Sequence, residues 1–219
     1  MTSRTSGPIS TSTSPRSLRT SRPVADETTP ARILGVDPGS YATGWGVLGA
    51  LDRRTPTVVA CGLVRLARKE RFEVRLHRLH DAIVDVIART SPEVACVEAP
   101  FHGVNPRSAL QLAHARGVVL AALGSAGVRV EEVPPATVKQ VVTGSGRAGK
   151  EQVQSMIRRV LGITEELASE DVSDALAVAY CWSVHAGSAA NLRRAGGVPV
   201  VRGSVRSRRA RGPVVRRAR

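Results

Sequence analysis

Three strand-like apolar runs follow one another with little chain between them, whereas every later run of that kind is set off from the last by a helical pattern. Residues 31–37 read as a buried strand, 43–48 as its hairpin partner after the Pro38-Gly39-Ser40 turn, and 57–66 as a third strand. Short links of this kind dictate an antiparallel meander. Phe72, Leu76, Leu79, Ile83 and Ile87 then recur at helical spacing, which predicts a helix over about 71–89 that stops at Ser91-Pro92. Residues 94–98 form a short apolar strand, 106–123 an Ala- and Leu-rich helix and 128–133 a fifth strand, after which Pro134-Pro135 opens a short helix. Val153, Met156, Ile157, Val160 and Leu161 define an amphipathic helix, and a last helix covers about 170–184 with Ser169 as its N-cap. Strands separated by helices join a sheet in parallel through right-handed crossovers. The expected fold is α/β: a mixed five-stranded sheet, an antiparallel meander plus two parallel strands, with helices on both faces.

Charge divides the chain in a different way. With +10 in residues 191–219 and +2 in residues 1–30, the +14 of the whole chain leaves only +2 for residues 31–190. The basicity belongs to the ends, where it supplies salt-sensitive, non-specific affinity for phosphate backbones and no chemistry. Residues 1–30, rich in Ser, Thr, Arg and Pro, read as a disordered extension rather than a transit peptide, since no amphipathic helix is visible. Residues 191–219 read as a disordered basic tail, and residues 31–190 as one domain.

Cys61, Cys96 and Cys181 are odd in number and widely spaced, which argues against a disulfide framework and against a zinc site. Cys61 and Cys96 sit in apolar runs and are expected in the core. No apolar run is long enough to span a bilayer, and no apolar leader segment opens the chain, so the expected location is cytoplasmic, with no membrane partner.

Four acids stand at the ends of apolar elements. Asp37 ends the first strand, and Glu98 ends the fourth, which the crossover lays beside the first at the carboxyl edge of the sheet. Asp171 and Asp174, three apart, project from one face of the last helix within its first turn. Singly, each has an ordinary role as a turn residue, a solvated strand end or a complement to the helix dipole. Together they crowd like charges, which raise one another's pKa unless a cation joins them. Oxygen-only ligands suit Mg2+ or Mn2+, and a pair of such ions can clamp the attacking and leaving oxygens of a phosphodiester. The pattern points to a metal-dependent nuclease.

The motifs LGVDPGS followed by GWGV, VEAPF followed by NPRSALQLAHARG, VKQVVTGSGRAGKEQV, and DVSDALAVA occur in this order between residues 34 and 179. As a set they resemble the RuvC-type Holliday-junction resolvases, crossover junction endodeoxyribonucleases of the RNase H-like fold, over about residues 32–190. The resemblance implies a symmetric homodimer that nicks two opposing strands of four-way junction DNA in recombination and repair. It implies Mg2+ as cofactor, two ions per active site with Mn2+ as substitute, and products with a 5'-phosphate and a 3'-hydroxyl. It also implies a branch-migration complex of the RuvAB kind as partner, and places the dimer interface on the 106–123 helix.

Carried over residue by residue, the resemblance makes Asp37, Glu98, Asp171 and Asp174 the metal-binding and catalytic acids. Lys150 becomes a catalytic and DNA-binding residue and Lys139 a DNA-binding one, each holding phosphate as a point charge. Phe101 takes the place of an aromatic that wedges into the bases at the junction centre, beside His102, while Asn105, Arg107 and Ser108 add phosphate contacts at a helix start. Gly144, Ser145 and Gly146 are expected to form a flexible loop whose amides approach phosphate oxygens. Ala99-Pro100 departs from the usual family pattern, and its proline is expected to stiffen the wedge loop.

Two other classes share parts of this pattern. An ATPase of the actin and hexokinase type also opens on an Asp-x-Gly strand-turn-strand, but needs a second Gly-rich phosphate loop, which the sequence lacks. A catalytically silent DNA-binding module accounts for the basic ends and not for four matched acids. An RNase on the same fold is the nearest enzymatic alternative, and fold alone does not separate it from a DNA nuclease.

Overall fold

The structure, a computed structural model, describes residues 32–49, 55–99 and 106–194, with side chains through residue 186. Strands β1 (Arg32–Asp37), β2 (Ala42–Gly49) and β3 (Thr57–Arg65) form the meander. Helix α1 (Phe72–Thr90) follows, then β4 (Val94–Glu98), α2 (Pro106–Ser125), β5 (Arg129–Val133), α3 (Pro135–Thr143), α4 (Lys150–Val160) and α5 (Glu170–Arg194). The sheet order is β3-β2-β1-β4-β5. The pairs β1 with β2 and β2 with β3 are antiparallel, whereas β1 with β4 and β4 with β5 are parallel. The mixed sheet matches the expected one strand for strand.

Alternation along each strand sorts the core into two layers. Leu34, Val36, Val47, Ala95 and Val97 meet Leu79, Ile83 and Val86 of α1 and Ala115, Val119 and Leu123 of α2. On the opposite face, Ile33, Leu48, Val94 and Cys96 meet Val138 of α3, Val153 and Ile157 of α4, and Leu176 of α5. Each of these fully buried Leu, Ile and Val side chains contributes roughly 1.5–3 kcal/mol from burial. Helix α1 stops where Ser91 takes a left-handed φ of 44° and donates its N–H to the Ile87 carbonyl, with Pro92 barring another turn.

Glycines set how closely α5 lies on the sheet. A Cβ at Gly35 would overlap the carbonyl of Ala175, one at Gly44 the carbonyl of Asp171, and one at Gly46 the side chain of Leu176. The helix therefore rests directly on the strand backbones of β1 and β2. Its first half is buried nearly all round, with Val172, Ala175, Leu176, Ala177, Val178 and Ala179 at 2% exposure or less, because α3 and α4 cover the side away from the sheet. That is why a one-sided apolar stripe does not mark its length: α5 continues to Arg194, ten residues beyond the expected end and four into the expected tail.

Cys96 and Cys181 are buried, but Cys61 is exposed, contrary to its expected core position. Strand β3 is a sheet edge, and its apolar run of residues is only half covered. Among the described residues no helix is long and apolar enough to cross a membrane.

Candidate active site

Strand parity delivers two of the acids to one place. Asp37 shares the face of Ile33 and Gly35, and Glu98 that of Val94 and Cys96, both looking toward α5. Val36 lies opposite Val97 in the parallel pair, and the same register continued one step brings Asp37 level with Glu98 at the carboxyl edge. Across the other side of β1, Asp37 is paired with Gly44, the glycine beneath the Asp171 carbonyl. The missing Cβ thus seats the first turn of α5 over the end of β1. Ser169 shapes that turn: its Oγ accepts the Asp171 N–H at 3.2 Å and donates to Asp171 Oδ2 at 2.8 Å.

The electrostatics record the crowding. Burial, then the charges of Asp174, Glu98 and Asp171, push the Asp37 carboxyl up to about 7, with Lys150 pulling the other way. Glu98 is raised by burial and by Asp174, while Lys139 and Lys150 draw it back. Asp174 is raised chiefly by burial, against the hydrogen bond and charge of Lys150. The other three acids, contributed by β4 and α5, therefore lie within electrostatic reach of Asp37, with Lys150 beside them and Lys139 near Glu98.

Lys150, the first residue of α4, is the cation in contact with this cluster. Its Nζ lies 3.0 Å from Asp174 Oδ2 and 3.3 Å from Glu170 Oε2. Partial burial opposes its charge, but the two carboxylates outweigh that and raise its pKa. In the sequence Glu170 reads only as one more acid favoured at a helix start, so nothing there marks it as a partner of Lys150. Gln154, one turn further along α4, also lies against Asp174 and offsets its rise, although its buried Nε2 makes no well-formed hydrogen bond.

The donor set suits a hard divalent cation: it is all oxygen, and burial with neighbouring carboxylate charge raises Asp37, Glu98 and Asp174 despite Lys150. Among the described residues, no three His, Cys, Asp or Glu side chains are drawn together tightly enough to form a finished cage.

One expectation changes. The loop of Gly144, Ser145 and Gly146 does not present free amides. Gly144 donates to the Gln140 carbonyl, Ser145 to Thr143 Oγ1, Gly146 to Gln140 Oε1, and Ala148 to the Ser145 carbonyl. The Gln140 amide also donates to the Gly144 carbonyl at 2.8 Å, so the loop is tied to the end of α3. Arg107, at the start of α2, adds its charge to the surroundings of Tyr41. Phe101, His102 and Asn105 lie outside the described residues.

Known proteins resemble this chain in sequence and fold. The family described as Crossover junction endodeoxyribonuclease RuvC matches residues 33–182. A protein of that name from Paramagnetospirillum magneticum is 46% identical over 165 residues, covering 75% of this chain and 98% of the relative. One from Chlorobaculum parvum is 45% identical over 149 residues, 68% of this chain and 79% of the relative. The structure of Thermus thermophilus RuvC in complex with a Holliday junction substrate superposes with a TM-score of 0.66 at 33% identity, covering 72% of this chain and 96% of that one. The yeast mitochondrial Holliday junction resolvase Ydc2, at 12% identity and a TM-score of 0.60 over 78% of this chain and 86% of that one, shares the fold. The chain belongs to the RuvC family of crossover junction endodeoxyribonucleases.

Proposed function

We propose that this chain resolves four-way (Holliday) DNA junctions by metal-dependent nicking of two opposing strands, with Asp37, Glu98, Asp171 and Asp174 as the acids of the reaction. The observation that carries the reading is the convergence of these four carboxylates, from three separate elements, around Asp37. The junction as substrate is supported by relatives such as the Paramagnetospirillum protein, 46% identical over 165 residues, and by the junction complex of the Thermus relative.

Asp37, Glu98 and Asp174, with Asp171 at the helix start, would hold the ions, Mg2+ by preference and Mn2+ as substitute, two per site. When bound, such ions polarise the scissile phosphodiester and generate the nucleophile at neutral pH. Lys150 serves as a point charge that holds the phosphate and offsets charge developing on its oxygens. Lys139, which reaches Glu98 electrostatically, holds the strand nearby. The products are a 5'-phosphate and a 3'-hydroxyl. Phe101 wedges into the junction centre, and Asn105 and Arg107 grip its backbone.

Paired incision needs two copies. Leu76 of α1 with Leu110, Ala113, Gly117, Val118 and Ala121 of α2 lines an apolar groove, and Leu110 and Leu112 are 60% and 41% exposed. A second copy covering this face makes a twofold dimer with two active sites. A branch-migration complex of the RuvAB kind is the partner on junction DNA.

Incubating the protein with a mobile synthetic junction, a matched linear duplex and a structured RNA, each with Mg2+ and with EDTA, tests the substrate. Paired nicks confined to the junction are expected, and preferential cutting of RNA overturns the reading.

A further inference from the structure

Tyr41 lies four residues beyond Asp37, in the turn that leaves the active edge of the sheet. Two guanidinium groups crowd its ring. Arg68 and Arg75 each stand with Cζ 4.5 Å from the ring centroid, and Arg75 also lies 5.3 Å from the Phe72 ring. Arg75 is only 5% exposed, donates Nη1 to the Ser40 carbonyl at 3.5 Å, and has a buried Nε with no hydrogen-bond partner.

Of the nearest acids along the chain, Glu70 pairs through Oε1 with Arg78 at 2.9 Å and leaves a buried Oε2 without a hydrogen-bond partner, and Glu73 pairs with Arg71 at 2.5 Å. Among the described residues, neither Arg68 nor Arg75 has a carboxylate within ion-pair distance. A buried guanidinium without an acid is costly, and stacking on aromatic faces recovers only part of that cost. The charge of Arg107 reaches the same ring. Three cations around one tyrosine, one of them buried with an unused donor, make a place that calls for an anion.

The position identifies the anion. The acids occupy the α5 side of the end of β1, and Tyr41 with α1 occupies the region just past that end on the other side. A nucleic-acid strand whose phosphate is held at Asp37 continues over the edge with further phosphates at regular spacing. We propose that Tyr41, Arg68 and Arg75 form a second phosphate site, which holds a phosphodiester flanking the scissile one and fixes the direction in which the strand crosses the sheet edge. Exposed Arg68 supplies the planar fork that meets the phosphate, and buried Arg75 holds the ring and the turn in place. The ligand rests on the nuclease reading, but the site has its own test.

Binding of the full chain to a four-way junction and to a matched linear duplex is measured in EDTA across a series of salt concentrations. Arg68→Ala is expected to weaken binding to both DNAs roughly tenfold and to lower the slope of log K against log salt by about 1. Arg89→Ala, near the far end of α1 and about 21 Å beyond Arg75 along the helix axis, removes the same charge and is expected to keep the wild-type slope. A wild-type slope in Arg68→Ala, or an equal loss in both variants, overturns the site. Lack of junction preference in the wild type would instead sink the resolvase reading, while the duplex slopes still decide the phosphate site.

Discussion

Lys150 Nζ sits 3.0 Å from Asp174 Oδ2, joining the first residue of α4 to the second turn of α5. The contact is half exposed on the lysine side, so its worth to stability is less than about 1 kcal/mol. Its weight is electrostatic: the same ammonium pulls Asp37 and Glu98 back toward ionisation. A cation held among four acids is placed to act on a phosphate arriving between them.

Lys150→Ala is expected to lower the single-turnover cleavage rate at saturating protein about 100-fold, in line with the loss of one oriented charge at a reacting oxygen. Thermal melting should move little. A wild-type rate would reduce Lys150 to a surface charge.

Stability of the metal-free protein should fall as pH rises. Burial and three carboxylates push Asp37 up to about 7, so the folded chain keeps a proton that the unfolded chain releases near pH 4. The penalty grows from about pH 4 to about pH 7 and is complete above that, on the order of a few kcal/mol. Melting in EDTA at pH 5 and pH 8 checks this for wild type and Asp37→Asn. The variant should lose much of the pH dependence and gain stability at pH 8, and adding Mg2+ at pH 8 should stabilise the wild type more than the variant.

Gly44→Ala places a methyl group where the Asp171 carbonyl lies, and the helix must lift. Overpacking of this sort costs roughly 1–3 kcal/mol, read from the denaturant midpoint. Cleavage should suffer beyond the stability loss, because lifting α5 takes Asp171 and Asp174 away from Asp37. Full activity in a folded Gly44→Ala protein would mean that the acids need not meet at this spacing.

Leu110→Asp puts a charge into the apolar groove between α1 and α2. Sedimentation equilibrium should show dimer for the wild type and monomer for the variant, with paired incision of a junction giving way to single nicks. An unchanged dimer would place the interface elsewhere.

Much of this architecture is readable from the chain, and the reasons for the exceptions are physical. The meander and the crossovers are visible because strand and helix periods differ and the links are short. Asp37 and Glu98 stand out because each ends an apolar strand, and the helix pair because it opens an apolar helix. Gly35, Gly44 and Gly46 carry no such mark, since a strand glycine reads as a weakness until the helix that needs the space is in view. Glu170 is indistinguishable in sequence from an ordinary first-turn acid. The length of α5 is hidden because burial on every side erases its stripe, and the loop at Gly144 reads as free because the amides it uses are claimed by Gln140, four to six residues back. Cys61 shows the converse: an apolar run on an edge strand is not a buried one.

The most direct test is cleavage of a synthetic four-way junction by wild type and by Asp37→Asn, with Mg2+ titrated from zero. The account predicts paired, symmetric nicks that appear only with metal in the wild type, and loss of at least about 100-fold in rate for Asp37→Asn while junction binding persists. Cutting by Asp37→Asn at the wild-type rate, or undiminished cutting in EDTA, would contradict it.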